Sequence, residues 1–330
     1  MSAVTLSVLD LAPVQADATA GEALHATTRL ARHAEELGFR RFWVAEHHNM
    51  PGIASAAPAV VLAHLAAATS RIRVGSGGVM LPNHPPLVVA EQFGTLEALH
   101  PGRIDLGIGR APGTDPVTAR ALRRSADGLS GDSFPRELTA LIGFFRGADP
   151  DGIVASPGRD TEPAVWLLGS SGYSAQVAAV LGLPFAFAHH IAPENTAAAL
   201  ALYRDNFRPS ETLSAPYTIV AASAICADTD AAADRLAAPR DLAFAQLRAG
   251  RPQALATPEQ AAAFPSGEAE RRFAAQRKTG QLQGSPETVR AQAADLLAAT
   301  SPDELMLNTL VYDIDARIRS LELTAAAING

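Results

Sequence analysis

Eight short hydrophobic runs rich in β-branched residues recur along the chain, and longer segments with helical spacing separate them. A strand of a parallel sheet is covered on both faces and has an almost continuous apolar sequence, so each run predicts such a strand. The runs are LSVLDLA, RFWVAEH, IRVGSGGVML, IDLGIGR, AVWLLGS, PFAFAHH, YTIVAASAICA and ELMLNTLVY. Helices are predicted over residues 21–37, 58–70, 87–99, 174–181, 194–207, 285–300 and 315–328.

The regular alternation of strand and helix predicts the fold class. Eight βα units favour a closed (β/α)8 TIM barrel of the α/β class over an open, doubly wound sheet. A chain of 330 residues suits one such domain, covering residues 1–330. Two connections are too long for simple loops, residues 115–163 after the fourth strand and residues 228–284 after the seventh. We expect both to be insertions at the carboxyl ends of strands, where barrel enzymes build lids.

Composition and charge narrow the class of protein. Hydrophobic residues make up 48% and charged residues 18%, which is enough apolar material for a large core. The net charge of −7 and the pI near 5.7 argue against a nucleic-acid partner and favour small molecules. Cys226 is the single cysteine, so no intramolecular disulfide can form and a reducing compartment is expected. Without a basic n-region or a long apolar run, the chain is expected to be cytoplasmic and not to contact a membrane.

The second run ends in three ionisable residues, Glu46, His47 and His48. Neighbouring side chains of a strand point to opposite faces, so the two histidines are not expected to share one metal ion or one substrate atom. One histidine is expected to face a pocket, where imidazole suits proton transfer, and Glu46 could orient it or hold a ligand group. A polar start of a loop is the alternative. No metal site is predicted, because the spacing of known zinc motifs is missing.

Glycine-rich strand ends follow in the third and fourth runs. In GSGGVMLPNHPP, residues 75–86, the glycines allow the backbone to approach a planar ligand closely, or they fit a tight corner of the barrel. GIGRAPG, residues 107–113, lacks the spacing of a dinucleotide-binding fingerprint. It does place Arg110 at a strand end, where a guanidinium suits a phosphate or a carboxylate, or pairs with Asp105 or Asp115.

The segment LLGSSGYSAQVAAVLGLP has the strongest phosphate-binding pattern. A strand ends in Gly169, two serines follow, and a helix is predicted to begin near Ser174. Backbone N–H groups and hydroxyls at a helix amino terminus form an anion site, but Ser171 or Ser174 could also be an ordinary N-cap. The next run, FAFAHHI, ends in His189 and His190, and strand alternation gives at most one of them to a pocket.

Together these segments resemble the bacterial luciferase-like, flavin-dependent monooxygenases, in the branch that does not emit light. The resemblance rests on WVAEHHNMPGIASAAP, GSGGVMLPNHPPLVVAEQFGTLEALHPGRIDLGIGRAPGTD and VWLLGSSGYSAQVAAVLGLPFAFAHH, and it covers nearly the whole chain. It implies FMN in the carboxyl-terminal mouth of the barrel, with His47 as the catalytic acid/base. The cofactor-binding residues that it implies are Glu46, Gly77, Gly78, Arg110, Gly169, Ser170, Ser171, Ser174 and His189. Gly77 and Gly78 match an alanine pair that luciferases often hold in a non-prolyl cis bond.

The resemblance also implies an activity. Reduced FMN from a separate flavin reductase would react with O2 to form a flavin C4a-peroxide, which oxidises a small organic substrate in the barrel of a homodimer. Three differences from luciferases, at Gly109, Ser170 and His189, argue against light emission and long-chain aldehyde oxidation. Two alternatives stay open, which are hydride transfer with the deazaflavin F420 and flavin binding with little catalysis.

Overall fold

The described part of the chain, residues 4–111, 113–122, 133–148, 151–265 and 267–330 of a computed structural model, contains nine strands. Eight of them pair in parallel and close into a barrel in the order β1-β2-β3-β4-β5-β6-β7-β9, with β9 returning to β1. The predicted (β/α)8 barrel is therefore confirmed, and each hydrophobic run supplies one barrel strand. The strands are β1 (Thr5–Asp10), β2 (Arg41–Val44), β3 (Arg73–Met80), β4 (Ile104–Gly109), β5 (Ala164–Gly169), β6 (Phe185–Phe187), β7 (Thr218–Cys226), β8 (Leu282–Gly284) and β9 (Glu304–Asn308).

Helices surround the barrel, and all seven predicted helices are present. The long connection after β4 contains α4 and α5, although residues 123–132 and 149–150 of it lie outside the described residues. The connection after β7 contains α8, α9, α10 and β8. None of the described helices is both long and apolar enough to cross a membrane. The helices are α1 (Ala20–Glu36), α2 (Pro58–Ala68), α3 (Pro86–Leu99), α4 (Pro116–Ala121), α5 (Phe134–Phe145), α6 (Gly172–Leu181), α7 (Thr196–Asn206), α8 (Asp230–Arg248), α9 (Pro258–Ala263), α10 (Glu268–Lys278), α11 (Pro286–Thr300) and α12 (Ile314–Asn329).

Side chains of the barrel strands alternate between two hydrophobic clusters. Val8 and Val44 belong to the larger cluster, which lies between the sheet and the surrounding helices. Their neighbours Leu9 and Trp43 belong to a smaller cluster inside the barrel, together with Met306 of β9. Because strand side chains point alternately to the two faces, one strand can serve both clusters.

A polar layer fills the amino-terminal end of the barrel. Arg41 lies between two buried carboxylates, 2.7 Å from Asp105 and 2.6 Å from Glu304. The hydroxyls of Tyr217 and Ser7 donate to Glu304 at 2.7 and 2.8 Å, which satisfies the remaining acceptor positions. A buried ion pair needs such additional hydrogen bonds to offset its desolvation. The polar layer and the inner cluster leave the opposite end of the barrel for a ligand.

Candidate active site

A cavity of about 510 Å³ opens at the carboxyl-terminal end of the barrel strands. This volume lies in the range of small-molecule sites. The inner hydrophobic cluster forms the floor, and the rim comes from strand ends and from α8 and α10. Active sites of TIM barrels lie at this end, because the βα loops converge there.

His47 lies in the wall of this cavity, after β2. Ala45 and His47 line the cavity, whereas Glu46 and His48 turn the other way, as strand alternation predicts. The Nδ1 atom of His47 lies 3.2 Å from the carbonyl oxygen of Gly113. A carbonyl can only accept, so Nδ1 carries the hydrogen and Nε2 keeps its lone pair. Burial lowers the pKa of His47, although the Gly113 contact and the charge of Glu46 act in the opposite direction. The imidazole is therefore neutral at neutral pH and can accept a proton at Nε2.

Glu46 is fully buried behind this wall and forms a cluster with two histidines. The Nε2 atoms of His48 and His84 each lie 2.8 Å from Glu46 Oε1, and the backbone N–H of Met80 donates to Oε2 at 3.1 Å. Burial raises the pKa of Glu46, but these hydrogen bonds outweigh it and the net pKa is lowered. We call Glu46, His48 and His84 the Glu46 cluster. Glu46 is not among the described residues that line the cavity, and the cofactor contact that the resemblance implies for it stays a prediction.

The ligand atoms of the Glu46 cluster all lie within 4.8 Å of one another, a spacing that would also suit a metal ion. The sequence analysis predicted no metal site. Both imidazole contacts have the length of a charge-assisted hydrogen bond, so hydrogen bonds alone can satisfy the carboxylate.

The turn between β5 and α6 lies at one end of the cavity. We call it the serine turn, and its cavity-lining members are Gly169, Ser170, Ser171 and Ser174. Ser171 is the N-cap residue of α6, but its side chain does not cap the helix. Arg110 also lines the cavity, and its guanidinium carbon lies 4.5 Å from the ring centroid of Tyr173. Helix amino-terminal N–H groups, hydroxyls and a guanidinium give this end a positive, donor-rich character.

The backbone of Gly77 and Gly78 forms another part of the wall, and the bond between them is cis. A Cβ on Gly77 would lie 2.6 Å from Leu9 Cδ1, and one on Gly78 would lie 2.8 Å from the Gly107 carbonyl oxygen. Only glycine fits at either position without displacing a neighbour. The wall therefore has no side chain here, as a closely approaching planar ligand requires.

His190, and not His189, faces the cavity. The Nδ1 atom of His190 lies 2.9 Å from the Ala221 carbonyl oxygen, so it carries the hydrogen, and burial lowers the pKa of the imidazole to about 4. His189 instead contacts the Thr196 hydroxyl at 2.7 Å. The turn after β6 brings His190 and not His189 to the described lining of the cavity, and the cofactor contact that the resemblance implies for His189 stays a prediction.

Comparison with known proteins agrees with this geometry. The model of the luciferase-like monooxygenase family matches residues 4–304. The chain belongs to this family. The chain is 48% identical over 321 residues to a luciferase-like monooxygenase of Escherichia coli (strain K12), covering 97% of this chain and 96% of the relative. It is 34% identical to the N-acetyl-S-alkylcysteine monooxygenase of Bacillus subtilis (strain 168), covering 98% of each chain. The crystal structure of apo-MsnO8 superposes with a TM-score of 0.89 at 41% identity, covering 99% of this chain and 98% of that one.

Two more distant structures share the fold of this chain. One is the FMN complex of the oxygenating constituent of 3,6-diketocamphane monooxygenase from Pseudomonas putida, with a TM-score of 0.72, 19% identity and coverage of 99% and 98%. The other is an F420-dependent secondary alcohol dehydrogenase, with a TM-score of 0.70, 15% identity and coverage of 100% of both chains. At these identities the likeness shows the fold alone.

The upper wall of the cavity is formed largely by the connection 228–284, where the sequence analysis expected a lid but named none of the side chains that line the cavity. Backbone hydrogen bonds attach this upper wall to the loops after β1 and β2. The Leu255 N–H donates to the Val14 carbonyl oxygen at 2.8 Å, and the Val14 N–H donates to the Gly52 carbonyl oxygen at 3.0 Å. Phe244 in the alanine-rich α8 and Arg277 on α10 belong to no recognisable sequence motif. Their place in the cavity wall is therefore seen only in the folded structure. The wall residues that were missed include Met50, Ile53, Phe244, Leu247, Leu255 and Arg277.

Proposed function

We propose that this luciferase-like monooxygenase uses reduced FMN and O2 to oxidise a small organic substrate in the barrel cavity. The observation that carries the proposal is the division of one cavity into a positive, donor-rich end at the serine turn and an apolar body above the inner cluster. FMN has the same division, with a charged phosphate at one end and a flat, largely apolar ring at the other. Membership of the family supports an oxidoreductase of this kind.

The residues present fit FMN. Arg110 and the serine turn would hold the phosphate, because a guanidinium and helix amino-terminal N–H groups both stabilise a dianion. The wall at Gly77 and Gly78, which has no side chain, would lie against the flavin ring. Reduced FMN, when bound, supplies two electrons and the means of activating O2.

His47 and the apolar lining supply what the protein itself contributes. His47 holds its Nδ1 hydrogen against Gly113 and presents an unprotonated Nε2 to the cavity, so it can take a proton from a reacting group and return it. The Glu46 cluster fixes the backbone on both sides of His47, since Glu46 is bonded to His48 and His84. The inner cluster keeps water away from the reacting atoms.

The relatives support a small organic substrate and a flavin or deazaflavin cofactor, because one is named for N-acetyl-S-alkylcysteine and fold neighbours bind FMN or F420. A separate flavin reductase and a homodimeric assembly stay predictions from the family resemblance.

Titration with FMN, riboflavin and F420, followed by quenching of tryptophan fluorescence, tests the cofactor assignment. We expect FMN to bind at least about tenfold more tightly than riboflavin, because the phosphate adds charge-assisted hydrogen bonds. Arg110→Gln should reduce this ratio, whereas Arg120→Gln, at an exposed position of α4, should not. Equal affinities for FMN and riboflavin would refute the phosphate site, and tighter binding of F420 would favour the hydride-transfer alternative.

Rapid mixing of the protein and FMNH2 with O2 tests the catalytic role of His47. The rate at which oxidised-flavin absorbance returns should differ from that of free FMNH2, and His47→Asn should change it. Asparagine keeps a donor for the Gly113 carbonyl but lacks the basic Nε2. If the variant and the wild type reoxidise FMNH2 at the same rate while binding FMN equally, the protein is a flavin-binding protein with little catalysis.

A further inference from the structure

We propose that His190 and Asn308 form a pair of hydrogen-bond acceptors for the substrate, so that this luciferase-like monooxygenase acts on small neutral molecules that carry N–H or O–H donors on an apolar body. The inference deepens the proposed function and rests on it, because it assigns a part of the cavity that FMN phosphate would not use. Both residues line the cavity, and neither takes part in the proton transfer proposed for His47. We call His190 and Asn308 the acceptor pair.

His190 is held by two hydrogen bonds to one carbonyl group. Its backbone N–H and its Nδ1 hydrogen both donate to the Ala221 carbonyl oxygen, at 3.0 and 2.9 Å. These bonds fix the ring and leave Nε2, with its lone pair, as the nitrogen that a ligand in the cavity can reach. Burial lowers the pKa of the imidazole to about 4, so Nε2 stays unprotonated at neutral pH. Toward a ligand, His190 is therefore an acceptor and not a donor.

Asn308 supplies the second acceptor. It is the last residue of β9 and lies two residues after Met306, whose side chain points into the barrel. Its Nδ2 donates to the Leu9 carbonyl oxygen at 2.9 Å, which fixes the orientation of the amide. Within the described residues the Oδ1 atom has no hydrogen-bond partner, although Asn308 is only 6% exposed. A ligand that displaces water from the cavity must donate to this oxygen or leave it unpaired.

The acceptor pair flanks β7, away from the end of the cavity proposed for FMN phosphate. In the closed barrel, β6 and β9 are the two neighbours of β7, and β9 lies opposite β4, which precedes Arg110. Ala221 of β7 lines the cavity between the two acceptors with a methyl group only, which leaves room for a ligand. A flavin held at the ends of β3, β4 and β5 therefore leaves the acceptor pair available for a second molecule.

The lining around the acceptor pair is apolar. Met306 and Leu310 lie two residues before and after Asn308, and Ile191 follows His190. All three line the cavity. An apolar surface with a few polar groups at fixed positions is typical of a site for a small organic molecule. The body of the ligand is therefore expected to be apolar.

The charge of the ligand follows from the groups that surround it. A carboxylate has no hydrogen to donate to the acceptor pair. An ammonium group has donors, but none of the described lining residues is a carboxylate that would compensate its charge once it is buried. A neutral N–H or O–H group satisfies the acceptors without a buried charge, whereas an analogue that lacks donors leaves them unpaired and is rejected.

Calorimetric titration with hexanamide and with its isomer N,N-dimethylbutanamide, on protein saturated with FMN, tests the inference. Both molecules have an amide carbonyl and the same atoms, but only hexanamide has N–H donors. We expect wild type to bind hexanamide at least about tenfold more tightly than the isomer. His190→Leu and Asn308→Leu should each lower this ratio by about threefold or more, and the double variant should bring it within about twofold.

Two substitutions away from the cavity are the matched controls. Asn206→Leu matches Asn308→Leu, because the Asn206 amide also donates to a backbone carbonyl, that of Leu202 at 2.9 Å, but lies at an exposed position of α7. His25→Leu, at an exposed position of α1, matches His190→Leu. Both controls should keep the wild-type ratio of affinities.

The outcomes separate the inference from the proposed function. A wild-type protein that binds FMN but does not prefer hexanamide, or a double variant with native circular dichroism that keeps the full preference, overturns the inference alone. If either leucine substitution in the acceptor pair weakens FMN binding by about tenfold or more, the pair serves the flavin and the inference is again overturned. If FMN fails to bind but hexanamide is still preferred through the acceptor pair, the flavin proposal fails and the acceptor site stands.

Discussion

His190 should make the protein lose stability in mild acid, and His190→Asn should remove that loss. The imidazole donates its Nδ1 hydrogen to Ala221 at 2.9 Å, and burial lowers its pKa from 6.5 to about 4. The nearby charge of Arg277, together with His189 and His47, further opposes protonation of His190. An asparagine amide can make the same donation to the Ala221 carbonyl and does not titrate.

Proton linkage gives the sign and the size of the change in unfolding free energy with pH. Between pH 6.5 and pH 4 the unfolded chain binds a proton at His190 that the native state does not bind, so the free energy of unfolding falls as the pH falls. With pKa values of 6.5 unfolded and about 4 folded, this group costs about 2 kcal/mol at pH 5 and about 3 kcal/mol at pH 4, relative to pH 7. Below pH 4 the loss levels off, because both states then bind the proton.

Urea unfolding at pH 7, pH 5 and pH 4, followed by tryptophan fluorescence, measures this contribution. Trp43 and Trp166 are the two tryptophans, and both are buried inside the barrel. The difference in unfolding free energy between the variant and wild type isolates His190, since contributions from distant titrating groups cancel. Relative to pH 7, the unfolding free energy of His190→Asn minus that of wild type should rise by about 2 kcal/mol at pH 5 and by about 3 kcal/mol at pH 4.

An exposed histidine on α1 provides the control for the buried His190. His25→Asn, at an exposed position of α1, is the matched substitution, and only the drift of His190→Asn beyond that of His25→Asn counts as the effect of the buried imidazole. If the difference between His190→Asn and wild type is the same at all three pH values, His190 is protonated as readily in the native state as in the unfolded chain. The lowering of the His190 pKa by burial would then be wrong.

Three further predictions concern the barrel interior and the Glu46 cluster. Arg41→Met should lower the free energy of unfolding by about 3 to 5 kcal/mol in urea titrations, because it removes the buried cation between Asp105 and Glu304, which then keep only the more exposed Arg73 and Arg40 as ion-pair partners, and a loss below about 1 kcal/mol would contradict this. Gly75→Ala should lower it by about 1 to 3 kcal/mol or prevent folding, because a Cβ would lie 2.6 Å from Trp43 Nε1, and an unchanged melting curve would show that the interior can expand. Treatment with EDTA, or addition of Zn²⁺, should leave the melting temperature unchanged, because hydrogen bonds satisfy the cluster; a zinc-induced shift that His84→Gln abolishes would identify a metal site instead.

The barrel could be predicted from sequence because each buried strand needs a continuous apolar run and each helix between strands shows its own period. The same reasoning placed His47, Arg110 and the serine turn at strand ends, and all of them line one cavity. It did not find β8, since three residues are too few to show a period. It expected a lid from residues 228–284 but did not name the side chains of the upper wall, because their placement depends on long-range backbone contacts such as that between Leu255 and Val14.

The two histidine pairs show how the structure places residues that the resemblance assigned to the site, with His47 in the cavity wall as assigned. The family pattern assigned Glu46 and His189 to the cofactor pocket, whereas the structure turns both away and brings His47 and His190 to the wall. Ala45 lies inside the barrel and is two residues before His47, and Ala186 lies inside and is four residues before His190. Even spacing keeps a side chain on the same face, and a shift of one residue moves it to the other face. Counting from the inner residues Ala45 and Ala186 gives His47 and His190, although both pairs lie beyond the ends of β2 and β6, and the turn after β6 also brings Ile191 to the cavity.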